Sequence, residues 1–187
     1  MKRNFYRGLL LLVGFPLVFG ACNKDDDPAP DPIVGTWKRD LYRITELPAN
    51  FSNFENAPAD QYYSVYEEGL TMTFSNDKTY TRKYDLIGLP DQLEAGAWTK
   101  EGTSLTVKPT DATKFPEEDF TIVGDITSVA LVLSKPETIP LLPDAITDTL
   151  TTAWANSHPA DYDALVDQYQ QNVDVTLLLI FDKVTTP

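Results

Sequence analysis

Cysteine and histidine are almost absent from this sequence. Its 187 residues contain one cysteine, Cys22, and one histidine, His158. A single cysteine excludes a disulfide within the chain, and the two residues are too few for a zinc site or a Cys–His catalytic pair. The sequence also lacks a Gly-x-Ser-x-Gly turn, a glycine-rich phosphate loop and a dinucleotide fingerprint. We therefore expect a protein that is not an enzyme and has no metal site and no cofactor.

Basic residues are scarce as well. The chain has 15 Lys and Arg against 28 Asp and Glu, a formal net charge of −13. This charge repels polyanions, so we expect no nucleic acid partner. In so acidic a sequence, neighbouring carboxylates such as Asp161 with Asp163 or Glu117 with Glu118 are expected by chance. Residues two apart on a helix do not share a face, and adjacent carboxylates in a loop are usually solvated, so neither pair indicates catalysis.

The opening segment has the parts of a secretory signal. Lys2, Arg3 and Arg7 precede an apolar run over residues 8–19. As a helix this run would be about 18 Å long, which is too short for a hydrocarbon core of about 30 Å. We therefore predict a cleaved signal peptide over residues 1–21.

Residues 18–22, Val-Phe-Gly-Ala-Cys, resemble a lipobox. In the proteins it resembles, the signal is cleaved before the cysteine, which is then acylated, so Cys22 is the predicted lipid anchor to a membrane. The alternative is an ordinary cysteine behind a cleaved signal. Residues 22–32 then form a flexible tether rich in aspartate and proline. Its start resembles the export signal that sends some Gram-negative lipoproteins to the outer face of the outer membrane, although a solvated linker has the same composition.

From residue 33 onward the apolar residues follow the period of β-strands. The pattern predicts about eight short strands joined as successive hairpins, which favours an antiparallel up-and-down barrel over a sandwich. The predicted strands cover residues 33–45, 70–74, 79–84, 95–100, 104–108, 119–126, 129–134 and 173–184. The segment between the first two, from residue 46 to about residue 68, is predicted to be a long loop.

The period becomes helical before the last strand. Two groups of apolar residues recur at helical spacing on either side of a break at residues 156–159. The groups are Ile146, Leu150, Ala153 and Trp154, then Tyr162, Leu165, Val166 and Tyr169. This predicts a two-helix insertion over residues 143–172, with Ser157 or His158 as the N-cap of the second helix and Pro159 in its first turn.

Three short motifs follow one another along the chain. They are residues 33–38 with Gly35 and Trp37, the hairpin over residues 71–81, and residues 96–98 with Gly96 and Trp98. In this order they resemble the lipocalin-like domains of Gram-negative envelope lipoproteins. The resemblance covers residues 33–184 and implies a barrel domain over residues 33–187. It also implies that Gly35, Trp37, Gly96 and Trp98 close the barrel, with Lys183 as the candidate basic residue over Trp37. Direct ligand contact is the alternative role for the tryptophans.

Two functions fit this scaffold. One is binding of a small apolar or glycan-like ligand, gripped by aromatic residues of the long loop above a cavity in the barrel. The loop residues are Phe51, Phe54, Tyr62, Tyr63 and Tyr66, and the cavity would be lined by Met72, Phe74, Leu105 and Leu131. The alternative role for the loop aromatics is packing into the barrel rim. The other function is that of a structural or accessory envelope protein, with a solid barrel, that binds another protein through the helical insertion.

Overall fold

Eight strands form the protein. The computed structural model describes residues 29–57, 67–148, 154, 157 and 159–185. Within these ranges each strand pairs antiparallel with its sequence neighbours, and the last strand pairs with the first. The strands are β1 Gly35–Thr45, β2 Glu67–Phe74, β3 Thr79–Leu86, β4 Gln92–Glu101, β5 Ser104–Pro109, β6 Glu118–Ile122, β7 Ala130–Leu141 and β8 Gln171–Lys183. The predicted closed barrel of eight antiparallel strands is confirmed.

Three helical elements have both ends within the described residues. A 3-10 helix, Ala49–Phe54, follows β1. The other two are α-helices between β7 and β8: α1 is Asp144–Thr147 and α2 is Pro159–Tyr169. Trp154 and Ser157, which lie between them in the chain, are also helical. Pro159 is thus the first residue of α2, where its missing N–H has no helical partner to lose. The predicted helical positions Leu150 and Ala153 lie outside the described residues, as do His158 and everything predicted for residues 1–28. None of the described helices is long and apolar enough to cross a membrane.

The pairing differs between the two ends of the barrel. At the end that holds Trp37, which we call the base, β1 pairs with both β2 and β8. β1 leaves β2 after Lys38 but follows β8 as far as Thr45. Likewise β6 and β7 share only two residue pairs, whereas β7 follows β8 as far as Leu141. At the opposite end, the rim, β1, β8 and β7 therefore continue as a three-stranded ribbon.

β7 is longer than the sequence predicted. The predicted strand stopped at Ser134, but the observed one runs to Leu141 through Pro136 and Pro140. Proline cannot donate to a sheet ladder and is tolerated on an edge. Among the described residues, β7 beyond Ser134 pairs only with β8, and prolines on the other edge disfavour pairing with a further strand. The predicted extension of β6 to residue 126 was wrong, because this strand ends at Ile122.

Trp37 is fully buried at the base. Its indole Nε1–H donates to the Ile33 carbonyl oxygen at 2.7 Å. The Lys183 ammonium lies 4.9 Å from the ring centroid and donates to the Val34 carbonyl at 3.3 Å. Gly35 has a φ of +142°, and a Cβ there would lie 2.8 Å from Lys183 Cε. Glycine thus lets the lysine reach the tryptophan, where a cation–π contact covers the ring.

Trp98 repeats this arrangement on β4. It is also fully buried, and its Nε1–H donates to the Ser75 carbonyl oxygen at 3.2 Å. The Lys78 ammonium lies 3.7 Å from its ring centroid, and Phe74 packs against it edge to face at 5.7 Å. The two tryptophans are therefore buried near the base with their indole N–H groups hydrogen-bonded.

Gly96, near Trp98 on β4, has no room for a side chain. A Cβ there would overlap the Lys108 carbonyl oxygen and lie 2.8 Å from Pro109 Cα. Both obstacles are backbone, so we expect Gly96→Ala to lower the free energy of unfolding by about 3 kcal/mol. Urea denaturation measures this. Gly102→Ala is the control: it meets nothing within 4 Å but has a φ of +59°, and should cost about 1 kcal/mol. Equal losses in the two variants would contradict the steric account.

Candidate functional site

Charged side chains lie inside the barrel. Alternate residues of a strand face the same side, so Tyr80, Arg82 and Tyr84 of β3 point inward together. On β4 the inward residues include Glu94 and Trp98. Arg82 and Glu94 are paired across the two strands and are only 4% and 3% exposed. Burial of charges is costly unless they are paired, so their contacts define this part of the interior.

The buried charges form one network. Arg82 donates from Nε and Nη2 to Glu94 Oε2, at 3.1 and 2.7 Å, and from Nη1 to Glu118. The Tyr80 hydroxyl donates to the other oxygen of Glu94. Lys135 Nζ donates to Glu118 Oε1 at 2.9 Å. We call these five residues the charge network; it joins β3, β4, β6 and β7 across the barrel.

The network sets the protonation of its members. Burial disfavours the charged form of Glu118, but Arg82 and Lys135 outweigh this and hold its pKa below the usual range. Burial likewise disfavours the charged form of Lys135, but Glu118 and then Glu137 raise its pKa above the usual value. Burial and the hydrogen bond to Glu94 raise the pKa of Tyr80. At neutral pH Glu118 and Lys135 are therefore ionised and Tyr80 is neutral.

A cavity of about 150 Å³ lies beside the network. One side of it is polar and the other is apolar. Its lining residues are Tyr42, Leu70, Arg82, Tyr84, Glu118, Phe120, Lys135, Leu177 and Leu179. Typical sites for drug-sized ligands measure about 300–1,000 Å³, so this cavity suits only a much smaller molecule.

The residues predicted to line a cavity lie elsewhere. Met72 and Phe74, together with Leu105 and Leu131, are buried in the apolar core, and Phe74 contacts both Tyr80 and Trp98. Of the predicted aromatic loop, Phe51 is buried in the same core and Phe54 packs against it. Tyr62, Tyr63 and Tyr66 lie outside the described residues.

A second concave site lies at the rim, between the 3-10 helix and the two α-helices. This rim groove measures about 380 Å³ and is lined by Phe54, Pro140, Leu141, Leu142, Thr147, Tyr162, Val166 and Gln170. Hydrogen bonds hold two of its walls together: Ser52 Oγ donates to Asp144 at 2.8 Å, and Asn53 Nδ2 donates to Asp148 at 2.8 Å. The groove thus joins a residue of the predicted aromatic loop to the helical segment.

Sequence reasoning missed the charge network, although the alternation of the strands contains it. Arg82 is two residues from the buried Tyr80, Glu94 is four from Trp98, and Lys135 is two from Leu133. Residues separated by an even number share a face of a strand, so each had to point inward. Hydropathy alone predicts the wrong face of β4, since it would bury Leu93 and expose Glu94. In the structure Leu93 is 67% exposed and Glu94 is buried.

The described residues include no group of three or more His, Cys, Asp or Glu side chains placed to hold a metal ion. A comparison of the chain with models of known protein families found no match, and neither did a comparison with curated proteins. The features of the molecule that bear on its function are therefore the cavity, the groove and the sequence motifs.

Glu118 and its neighbour Glu117 provide a matched test of the network. Glu118→Gln removes the carboxylate shared by Arg82 and Lys135, and we expect a loss of roughly 2 kcal/mol, below the range of about 3–5 for a fully buried pair. Glu117→Gln breaks only the exposed ion pair with Lys108 and should cost less than about 0.5 kcal/mol. Urea denaturation at pH 7 compares the variants, and equal stability would contradict a structural role of the network.

The same two variants, compared over a range of pH, test how the network makes the stability of the fold depend on pH. Because the pKa of Glu118 is lowered on folding, its contribution is present above the unfolded value of about 4.3 and is lost as the pH falls below it. Because the pKa of Lys135 is raised, its contribution is present below about 10.4 and is lost as the pH rises through the folded value. Glu118→Gln should therefore flatten the acid limb of the stability curve, and Glu117→Gln should not.

Proposed function

We propose that this protein is a lipid-anchored envelope protein with a lipocalin-like barrel that binds a small apolar or glycan-like ligand and catalyses no reaction. The observation that carries the proposal is the interior cavity of about 150 Å³. Leu70, Leu177 and Leu179 offer it an apolar wall, and Arg82 with Lys135 offers hydrogen-bond donors on the other side. A concave apolar site with a few convergent polar groups is the usual form of a small-ligand site.

The proposed location is the outer membrane, with display at the cell surface. It is supported by the signal-like residues 1–21 and the lipobox-like residues before Cys22. The tether would enter the barrel at the base, where Asp31 pairs with Lys100 at 3.5 Å and Ile33 is fully buried. In this proposal α1 and α2 belong to a two-helix insertion over residues 143–172 of the lipocalin-like scaffold.

The second candidate is an accessory protein that binds another envelope protein through this helical insertion. The rim groove favours it, since α2 contributes Tyr162 and Val166 to a concavity of about 380 Å³. The packed core around Met72 and Phe74 also fits a barrel with a structural role. Aromatic and aliphatic side chains in a groove are typical anchors for a partner.

Native mass spectrometry of protein purified from its own membranes distinguishes the two functions. We expect a small-molecule adduct on the wild type that Leu70→Trp, which fills the cavity, abolishes. Leu93→Trp, on an exposed leucine, should keep it, and circular dichroism checks that both variants fold. Leu179→Phe is a milder filling variant if Leu70→Trp does not fold. Absence of any adduct would overturn the ligand proposal, and a protein partner lost on deletion of residues 143–172 would then establish the second candidate.

The anchor has its own test. Cys22→Ser removes the only thiol that can be acylated, so we expect the protein to move from the membrane to the soluble fraction and to lose its acyl mass. Asp25→Ser, a change in the tether that keeps the cysteine, is the control. Membrane retention of Cys22→Ser would contradict the lipoprotein assignment without affecting the cavity.

A further inference from the structure

The volume of the interior cavity limits what it can hold. An apolar cavity of about 150 Å³ in another protein accommodates benzene. The cavity here has the same volume, so it has room for a molecule of about the size of benzene. A long acyl chain or an oligosaccharide does not fit, whereas a single six-membered ring does.

The charge network restricts the charge of the occupant. Arg82 and Lys135 carry two positive charges, and Glu94 and Glu118 contact them as two carboxylates. A third carboxylate, Glu137, also contacts Lys135 but is 32% exposed and therefore partly solvated. Both cations are thus already paired at close range. An anionic or cationic ligand would bring a further charge into a largely buried site whose charges already have partners, and an unpaired buried charge is costly. A neutral ligand avoids this cost.

Hydrogen bonding restricts the occupant further. The Lys135 ammonium has three protons, and Glu118 and Glu137 account for two partners. Arg82 has five N–H donors, of which three serve Glu94 and Glu118. Since Arg82 and Lys135 both line the cavity, their remaining N–H groups are the candidate donors to an acceptor on the ligand. The opposite side includes Leu70, Leu177 and Leu179, against which a ring face would bury apolar area.

We propose that the cavity binds a neutral single-ring molecule that carries one hydroxyl or carbonyl group. The polar group lies toward Lys135 and Arg82, and the ring lies against the three leucines. The assignment rests on the proposed binding function and narrows its ligand from an apolar or glycan-like molecule to a phenol-sized one. It excludes fatty acids, whose length and charge both conflict with the site.

Phenol, toluene, benzoate and dodecanoate test the proposal as probes. Methyl NMR of the full mature domain with labelled leucine follows Leu70, Leu177 and Leu179 directly, with the exposed Leu93 as an internal control. We expect phenol to shift the three cavity leucines with a Kd of about 1 mM or below. Toluene, which lacks the acceptor, and benzoate, which adds a charge, should bind about 10-fold more weakly. Dodecanoate should leave the three leucines unchanged.

Lys135→Met and Lys108→Met form the matched pair of variants, since Lys108 is an exposed lysine in a surface ion pair. Lys135→Met should weaken phenol about 10-fold and leave toluene unchanged, and Lys108→Met should change neither. Tighter binding of benzoate or dodecanoate than of phenol would overturn the ligand class while the binding function stands. The ligand class would also be wrong if the protein carries a native adduct but none of the four probes shifts the cavity leucines.

Discussion

The barrel depends on β1 having a partner along both of its edges at the base. Residues 35–38 pair with β2 on one side, and from Trp37 onward β1 pairs with β8 on the other. This double pairing closes the sheet and leaves no free edge there. After Lys38 β1 shifts register and keeps only β8. Among the described residues, β1 beyond Lys38 has no partner on its other edge, and Phe51 of the 3-10 helix that follows it is buried in the core.

The charge network is a different kind of constraint, because buried ion pairs are weak evidence for stability. Well-packed apolar residues of similar volume often replace such pairs at no cost. What the network does supply is register: Arg82 faces Glu94 directly across β3 and β4, and a slip of one residue would move both to solvent. In the proposed ligand-binding function the network has a second role, because an apolar interior would offer a ligand no hydrogen-bond donor.

Alternation and turn residues predicted the eight strands and their order, because both signals are local. Boundaries that depend on distant partners were not predictable in the same way. Pro136 and Pro140 mark the end of a strand when read locally, and only the absence of a partner beyond Ser134 explains why β7 continues through them. The sequence predicted a cavity lined by the apolar Met72 and Phe74, but these residues lie in the packed core. The cavity lies instead next to Arg82 and Lys135, where side chains of unequal length from six strands meet.

The two ends of the barrel differ in structure. At the base, two tryptophans, two lysines over their rings and the Asp31–Lys100 pair lie where the chain enters the barrel. In the proposed lipid-anchored form, a tether of ten residues between Cys22 and Ile33 spans at most about 33 Å, so the anchor would keep the base near the membrane. The rim, with the groove and the ribbon of β1, β8 and β7, would then face away from it. Since the cavity residues Tyr42, Leu70 and Leu177 lie nearer the rim than Trp37 does, the proposed ligand site would lie on the side of the barrel away from the bilayer.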